Sequence, residues 1–152
     1  MRRTRLALIA AALAAAAGPA FACEVPNPLS PQVVADAPVV VRGTLTAIEP
    51  RADGSAVLSV DVIETYRGDE AAAWTVTWGL ESVIVPPEDL DAFAVAYGGL
   101  DIVLGIAPLA VDVLPADPER GQGTLAQEVC AVPFLGSLDT LAPLLRADGL
   151  VD

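Results

Sequence analysis

The sequence contains no histidine and no lysine among its 152 residues, and it has only two cysteines. Without histidine, the chain can form no Ser–His–Asp triad, no histidine metal site and no histidine acid–base catalyst. It contains no P-loop, G-x-S-x-G or G-x-G-x-x-G motif in a supporting context, and Gly121-Gln122-Gly123 is only a loop fragment. We therefore predict a protein that is not an enzyme and uses no cofactor. A hydrolase based on two carboxylates, such as Asp61 and Glu64, is the open alternative.

The sequence also lacks a hydrophobic run of membrane length. The apolar run at residues 6–17 follows three arginines and precedes Ala20-Phe21-Ala22. This pattern predicts a signal peptide, residues 1–22, that is cleaved ahead of Cys23. A bilayer-spanning helix needs ~20 apolar residues, so this run is too short, and no second such run follows. We expect an exported protein, in the periplasm or outside the cell, without a transmembrane segment after cleavage.

Positive charge is scarce in the predicted mature chain. Removal of residues 1–22 leaves five arginines and all twenty acidic residues, and hence a net charge of −15. Such a charge repels nucleic acid and anionic membrane surfaces. The expected partner is therefore another protein, a protease or an envelope component, and nucleic acid is excluded.

Cys23 and Cys130 are the only cysteines, and an oxidising compartment favours a disulfide between them. The bond would close a loop of about a hundred residues, which the chain-entropy model values at ~4–5 kcal/mol. A lipid anchor on Cys23 is an alternative, although Ala20 and Phe21 differ from the usual lipoprotein signal. A free reactive thiol is the other alternative.

Alternation of apolar and polar residues predicts a β-hairpin over residues 39–68, with Asp53-Gly54 at its turn and a bulge or bend at Gly43. Further strands are predicted at residues 73–80, 100–107 and 124–132. In the first of these, Trp74 and Trp78 share one face. They would form either a stacking platform for a ligand or, as we favour, part of the barrel core.

The segments around these strands have other patterns. Prolines predict that residues 23–38 form an extended arm without helix. Residues 81–100 look like an insertion with one helix, and residues 137–152 predict a helix capped by Ser137 or Asp139. Residues 39–136 would form the barrel. The acidic residues of the insertion are an alternative calcium site, although no D-x-D-x-D-G loop supports it. These residues are Glu81, Glu88, Asp89 and Asp91.

Taken together, these features resemble the netrin-like domain, and in particular the N-terminal domain of tissue inhibitors of metalloproteinases and similar small bacterial secreted proteins. The shared features are an N-terminal Cys23, a proline-rich arm, the V-V-V-R-G strand of residues 39–43, Tyr66-Arg67-Gly68 and a late cysteine. The resemblance covers mainly residues 23–80. It implies a mainly β fold, a five-stranded OB-fold-like closed barrel with a short inserted helix and a short C-terminal helix packed on it.

In the inhibitors of this family, the α-amine and carbonyl of the first cysteine bind the catalytic zinc of a protease. The resemblance implies that Cys23, Glu24 and Val25 would contact such a partner. The sequence departs from the family because Val25 replaces its second cysteine and Glu24 replaces a small hydroxyl residue. The main prediction is therefore an exported binding or structural domain, and metalloprotease inhibition through the Cys23 amine is the alternative.

Overall fold

The computed structural model describes residues 27–53, 55–79, 89–109 and 119–151. The predicted signal peptide and Cys23, Glu24 and Val25 lie outside these ranges. The described part contains five strands and three short helices. In chain order they are α1 (Pro31–Ala35), β1 (Val39–Pro50), β2 (Ala56–Arg67), β3 (Ala73–Trp78), α2 (Leu90–Tyr97), β4 (Asp101–Pro108), β5 (Arg120–Leu125) and α3 (Ala142–Ala147).

The five strands close into a barrel in the order β1-β2-β3-β5-β4. Strands β3 and β5 are parallel, and the other neighbouring strands are antiparallel. This is the arrangement of an OB-fold barrel. The predicted fold class, a mainly β five-stranded closed barrel with a few short helices, is therefore confirmed.

The β1–β2 hairpin has the predicted bulge. The strands pair from Val40 opposite Arg67 to Pro50 opposite Ala56, and the register shifts between Arg42 and Gly43. A Cβ atom at Gly43 would lie 2.5 Å from the Asp61 carbonyl oxygen. Glycine is therefore required here because the two backbones approach too closely for a side chain.

In the hairpin turn, the Asp53 carboxylate accepts hydrogen bonds from the Ser55 amide at 2.9 Å and from the Ser55 hydroxyl at 2.6 Å. These bonds lower the pKa of Asp53 from its ordinary value of 3.8. A carboxyl whose pKa is lower in the folded state stabilises the fold above its unfolded pKa, and the stabilisation is lost as the pH falls through the folded pKa. Gly54 lies outside the described residues.

The free energy of unfolding of an Asp53→Asn variant should therefore differ most from that of the wild type near neutral pH. We expect the difference in the free energy of unfolding to shrink as the pH falls below the ordinary pKa of Asp53 and through its lowered folded pKa, since protonation makes both side chains uncharged. Urea unfolding at several pH values measures this difference. Asp69→Asn, an exposed change in the next connection, is the control for general charge effects. If the difference in the free energy of unfolding between the wild type and Asp53→Asn stays constant over this range, the hydrogen bonds from Ser55 do not lower the pKa of Asp53.

The strands bury apolar side chains on both sides of the barrel wall near β1 and β4. Val39 and Val41 belong to the cluster inside the barrel, whereas Val40 and Val103 belong to a second cluster outside it. The sequence predicts the two-sided burial of β4 from its continuous apolar run. The buried members of the outer cluster are Leu29, Val34, Ala35, Ala37, Val40, Tyr66, Val103, Ala131, Leu141 and Leu145. The two ends of the described chain thus cover one outer face of the barrel together.

The prediction that residues 23–38 contain no helix is wrong. Residues Pro31–Ala35 form one helical turn, with Pro31 at its start. Proline fits the first turn of a helix because a backbone N–H in that turn has no intrahelical partner, so no hydrogen bond is lost when proline lacks it. The turn buries Val34 and Ala35 in the outer cluster. This burial outweighs the preference of the proline-rich segment for an extended conformation.

The predicted strand at residues 124–132 is also displaced. Strand β5 is Arg120–Leu125, and Cys130 lies after it in a turn, with φ of 63°. The first half of β5 has weak strand propensity. A Cβ atom at Gly121 in this half would lie 2.5 Å from the Trp74 ring. Close packing against that ring therefore selects glycine here.

The C-terminal helix is shorter than predicted. It spans Ala142–Ala147, its N-cap is Leu141, and neither Ser137 nor Asp139 caps it. Pro143 lies in the first turn, which is where the helix can tolerate it. Leu141 and Leu145 are fully buried in the outer cluster, so the helix does pack on the barrel.

Candidate functional site

The two tryptophans lie in the barrel core and not on an exposed face. Trp74 is 2% exposed and Trp78 is fully buried. They are therefore not accessible as a stacking platform for a sugar or a base. The Trp74 indole Nε1 is buried without a hydrogen-bond partner among the described residues. An unpaired buried donor costs stability because it loses its hydrogen bond to water.

The unpaired Nε1 of Trp74 predicts that substitution by phenylalanine has unequal effects on stability at the two tryptophans. Trp78→Phe should lower the free energy of unfolding by ~1–3 kcal/mol through lost packing. Trp74→Phe also removes the unpaired donor, so it should cost ~1 kcal/mol less than Trp78→Phe. Urea unfolding of the two variants gives the comparison directly. Equal losses, or a larger loss at Trp74, would show that the Trp74 Nε1 is paired in solution.

An apolar pocket of about 260 Å³ lies where α2, the start of β4 and residues 132–136 meet. The predicted helix of the insertion supplies one wall, and the chain after β5 supplies the opposite wall. The lining residues are Phe93, Tyr97, Leu100, Asp101, Ile102, Val132, Pro133, Phe134 and Gly136. The walls are therefore almost entirely apolar, with one carboxylate among them.

Aromatic contacts join these walls to each other and to the barrel core. The Phe93 ring centroid is 4.4 Å from that of Tyr97 and 5.7 Å from that of Trp78. Tyr97 meets Phe134 edge-on at 5.4 Å. Ring pairs at these separations attract beyond simple area burial. Because Phe93 packs on the buried Trp78, the aromatic wall is fixed by the core.

The pocket was not predicted from the sequence. The helical period marks Phe93 and Ala94 as an apolar face, but Phe134 lies about forty residues further along the chain, between the predicted last strand and the predicted C-terminal helix. No spacing rule relates the two residues. Only closure of the barrel brings residues 132–136 beside α2.

Asp101 at the pocket edge forms an ion pair with Arg42, whose Nη2 lies 2.9 Å from its Oδ2. The Thr44 hydroxyl approaches the other carboxylate oxygen at 3.5 Å. The hydrogen bond to Asp101 raises the pKa of the Arg42 guanidinium above its ordinary value. Both side chains remain partly exposed, so their ion pair adds little to stability but holds the carboxylate at the rim.

A second feature, the N-terminal edge, is formed where residues 27–30 lie against residues 127–132. The Asn27 amide donates to the Cys130 carbonyl at 2.7 Å, and the Val132 amide donates to the Asn27 carbonyl at 3.0 Å. The Ser30 amide donates to the Glu128 carboxylate at 3.2 Å. Cys23 precedes Asn27 by four residues, which span at most ~14 Å. The Cys23–Cys130 disulfide stays a prediction because Cys23 is outside the described residues.

The other acidic candidates do not assemble into a site in the described part. The Glu64 carboxylate accepts a hydrogen bond from the Tyr66 hydroxyl at 2.9 Å, and Asp61 lies opposite Thr44 on β1. Among the residues that the structure describes, no three Asp, Glu or Cys side chains are placed to hold a metal ion. Glu81 and Glu88 fall outside those residues, and Asp89 is the N-cap residue of α2.

The architecture defines a class, the five-stranded OB-type barrel, with an apolar pocket and an N-terminal edge on its outside. No protein-family model matches the sequence, and no curated protein matches it. The resemblance to the netrin-like domain thus remains an interpretation of short motifs. None of the helices in the described ranges is long and apolar enough to cross a membrane.

Proposed function

We propose that this chain is an exported, non-enzymatic domain that binds another protein, and that the pocket between α2 and residues 132–136 receives a side chain of that partner. The observation that carries the proposal is the pocket itself. It is apolar, lies at the surface, and has three aromatic rings in its walls. Aromatic pockets of this kind are typical of binding hot spots.

The pocket, with a volume of about 260 Å³, has room for one large side chain of a protein partner. Its rim also carries exposed apolar side chains, since Leu100 is 49% and Tyr97 is 38% exposed. A protein partner could bury this rim together with the pocket.

The proposal includes export and the Cys23–Cys130 disulfide. The signal-peptide pattern and the oxidising compartment support both. The N-terminal edge adds support because it holds Asn27 on the Cys130 carbonyl, within reach of a residue four positions earlier. Such a bond would tie the mature N-terminus to the segment that ends in the pocket wall.

The test compares two leucines with similar exposure. Leu100 lines the pocket, whereas Leu109, which is 45% exposed, does not. Leu100→Gln and Leu109→Gln each replace an apolar side chain with a neutral polar one. Proteins of the exported fraction are captured on the immobilised wild type and on both variants, and the bound amounts are quantified. We expect Leu100→Gln to lose at least about tenfold of the specific capture and Leu109→Gln to retain it.

Equal capture by the wild type and by Leu100→Gln would contradict a role for the pocket. Absence of any partner on the wild type would contradict protein binding altogether. Thermal unfolding of both variants should match that of the wild type within a few degrees, since partly exposed surface positions usually change stability by ~0.5 kcal/mol or less.

The N-terminal edge favours a second candidate function, inhibition of a zinc protease by the α-amine and carbonyl of Cys23. An α-amine has a pKa near ~8 and can bind zinc when deprotonated. A terminus held in place by a disulfide loses little entropy on binding. The mature protein should slow a zinc protease, and one additional residue ahead of Cys23 should abolish the effect. Equal inhibition by the extended protein would rule out this mechanism.

A further inference from the structure

We infer that the N-terminal edge controls the pocket: residues 27–30, when docked on residues 127–132, hold one wall of the pocket in place, and their release opens the pocket on that side. This inference rests on the proposed function, because it concerns the regulation of the same pocket. It follows from the way in which the wall segment, residues 131–136, is attached to the rest of the molecule.

The wall segment is attached at both of its ends by isolated β-bridges. Ala131 forms a bridge with Asn27, and Leu135 forms a bridge with Val103 on β4. In the second bridge, the Val103 amide donates to the Leu135 carbonyl at 2.9 Å, and the Leu135 amide donates to the Val103 carbonyl at 2.8 Å. One end of the wall is therefore held by the barrel, and the other end is held by the N-terminal segment.

The bridge to Asn27 lies directly next to the pocket lining. The Val132 amide donates to the Asn27 carbonyl at 3.0 Å, and Val132 is itself a lining residue. The next residue, Pro133, is buried and also lines the pocket, but it has no amide hydrogen with which to form a bond of its own. Loss of the bond to Asn27 therefore frees the part of the wall that precedes Phe134.

Burial of side chains keeps the two ends of the wall in different units of the fold. Leu29 is 4% exposed and Ala131 is fully buried, and both belong to the outer cluster. Phe134 is also buried, but it belongs to the cluster inside the barrel. Phe134 therefore stays with the barrel when the N-terminal segment leaves, and the pocket has two states, closed with the segment docked and open with the segment released.

The coupling acts in both directions. A group that fills the pocket contacts Val132, so it binds the docked state better and stabilises the docking by the same free energy. Conversely, a protein that captures the N-terminus away from residues 127–132 weakens binding at the pocket.

The test is an NMR chemical-shift titration of the mature protein with indole, a planar apolar probe for the side chain of a partner. Asn27→Pro combined with Leu29→Gln removes the amide that donates to Cys130 and the buried side chain of the docked segment. We expect this double variant to bind indole at least about fivefold more weakly than the wild type. Val60→Ala, which removes buried volume from the barrel core on β2, is the control and should bind within about twofold of the wild type.

A second measurement needs no variant, and it tests the inference even if the double variant does not fold. Saturation of the wild type with indole should slow hydrogen exchange at the Val132 amide, because a filled pocket favours the docked state. The Arg51 amide, which donates to the Ser55 carbonyl at 2.8 Å in the hairpin turn, is the control. We expect its exchange rate to stay unchanged.

Binding of indole to Leu100→Gln separates failure of the inference from failure of the proposed function. If Leu100→Gln weakens binding but the double variant binds like the wild type, or exchange at Val132 does not slow, the pocket binds apolar groups and the inferred control is wrong. If Val60→Ala weakens binding as much as the double variant, the effect is general loosening and the inference also fails. If indole does not bind, or binds equally to Leu100→Gln, both the inference and pocket binding are overturned.

Discussion

A Gly43→Ala variant should lose ~3 kcal/mol or more of its free energy of unfolding, although it adds only one methyl group. That methyl group would lie 2.5 Å from the Asp61 carbonyl oxygen and 2.6 Å from a Val60 methyl carbon. The oxygen belongs to the backbone of β2, so it can move only if the paired strands separate. Because β1 also pairs with β4 at this position, through Ile102, the disturbance would spread across three strands.

Urea unfolding followed by tryptophan fluorescence measures the loss, since both tryptophans lie in the barrel core. Gly136→Ala is the matched control because no atom of the described residues lies within 4 Å of its added Cβ. We expect the control to lie within ~1 kcal/mol of the wild type. If Gly43→Ala is as stable as Gly136→Ala, the close approach of β1 and β2 at the bulge does not exist in solution.

The second large effect is expected at Arg67, where Arg67→Met should cost ~3 kcal/mol. The guanidinium donates to the carbonyl oxygens of Ala35 and Ala37 and forms an ion pair with Asp148. Ala35 and Ala37 are buried in the outer cluster. Loss of a charged hydrogen-bond donor from buried acceptors typically costs ~1.5–3 kcal/mol for each bond. Arg67 therefore joins the N-terminal segment, the barrel and the C-terminal segment.

Asp148→Asn separates the two kinds of contact. It removes the partner from an ion pair in which Asp148 is 49% exposed, and it leaves the bonds to the carbonyl oxygens in place. Exposed ion pairs contribute ~0–1 kcal/mol, so this variant should be much more stable than Arg67→Met. Equal losses in the two variants would show that the surface ion pair, and not the contact with the N-terminal segment, accounts for the effect.

The barrel was largely predictable because its strands carry local signals. The period-2 pattern of β1 and β2, the polar turn at Asp53 and the glycine at Gly43 are each visible within a few residues of sequence. The continuous apolar run of β4 also predicts burial on both faces. The β1–β2 hairpin depends mainly on contacts between neighbouring parts of the chain, whereas β4 pairs with the distant β1 but carries its own apolar signal.

The parts that were not predictable depend on distant contacts. Strand β5 contains Gly121 because the Trp74 ring packs on it, and the first turn of helix at Pro31 is stabilised by the outer cluster. Val40 lies on the outer face of β1, where alternation would predict exposure, but the chain ends cover it completely. The pocket was missed for the same reason, since Phe93 and Phe134 meet only in the closed barrel.

The proposed export and the second candidate function both depend on one covalent claim. That claim is that the precursor is cut ahead of Cys23 and that Cys23 then bonds to Cys130. The most direct measurement is the intact mass of the exported protein, before and after reduction. The predicted result is the mass of residues 23–152, which gains two hydrogens on reduction. A mass that does not change on reduction, that retains residues 1–22 or that includes a lipid would contradict the claim.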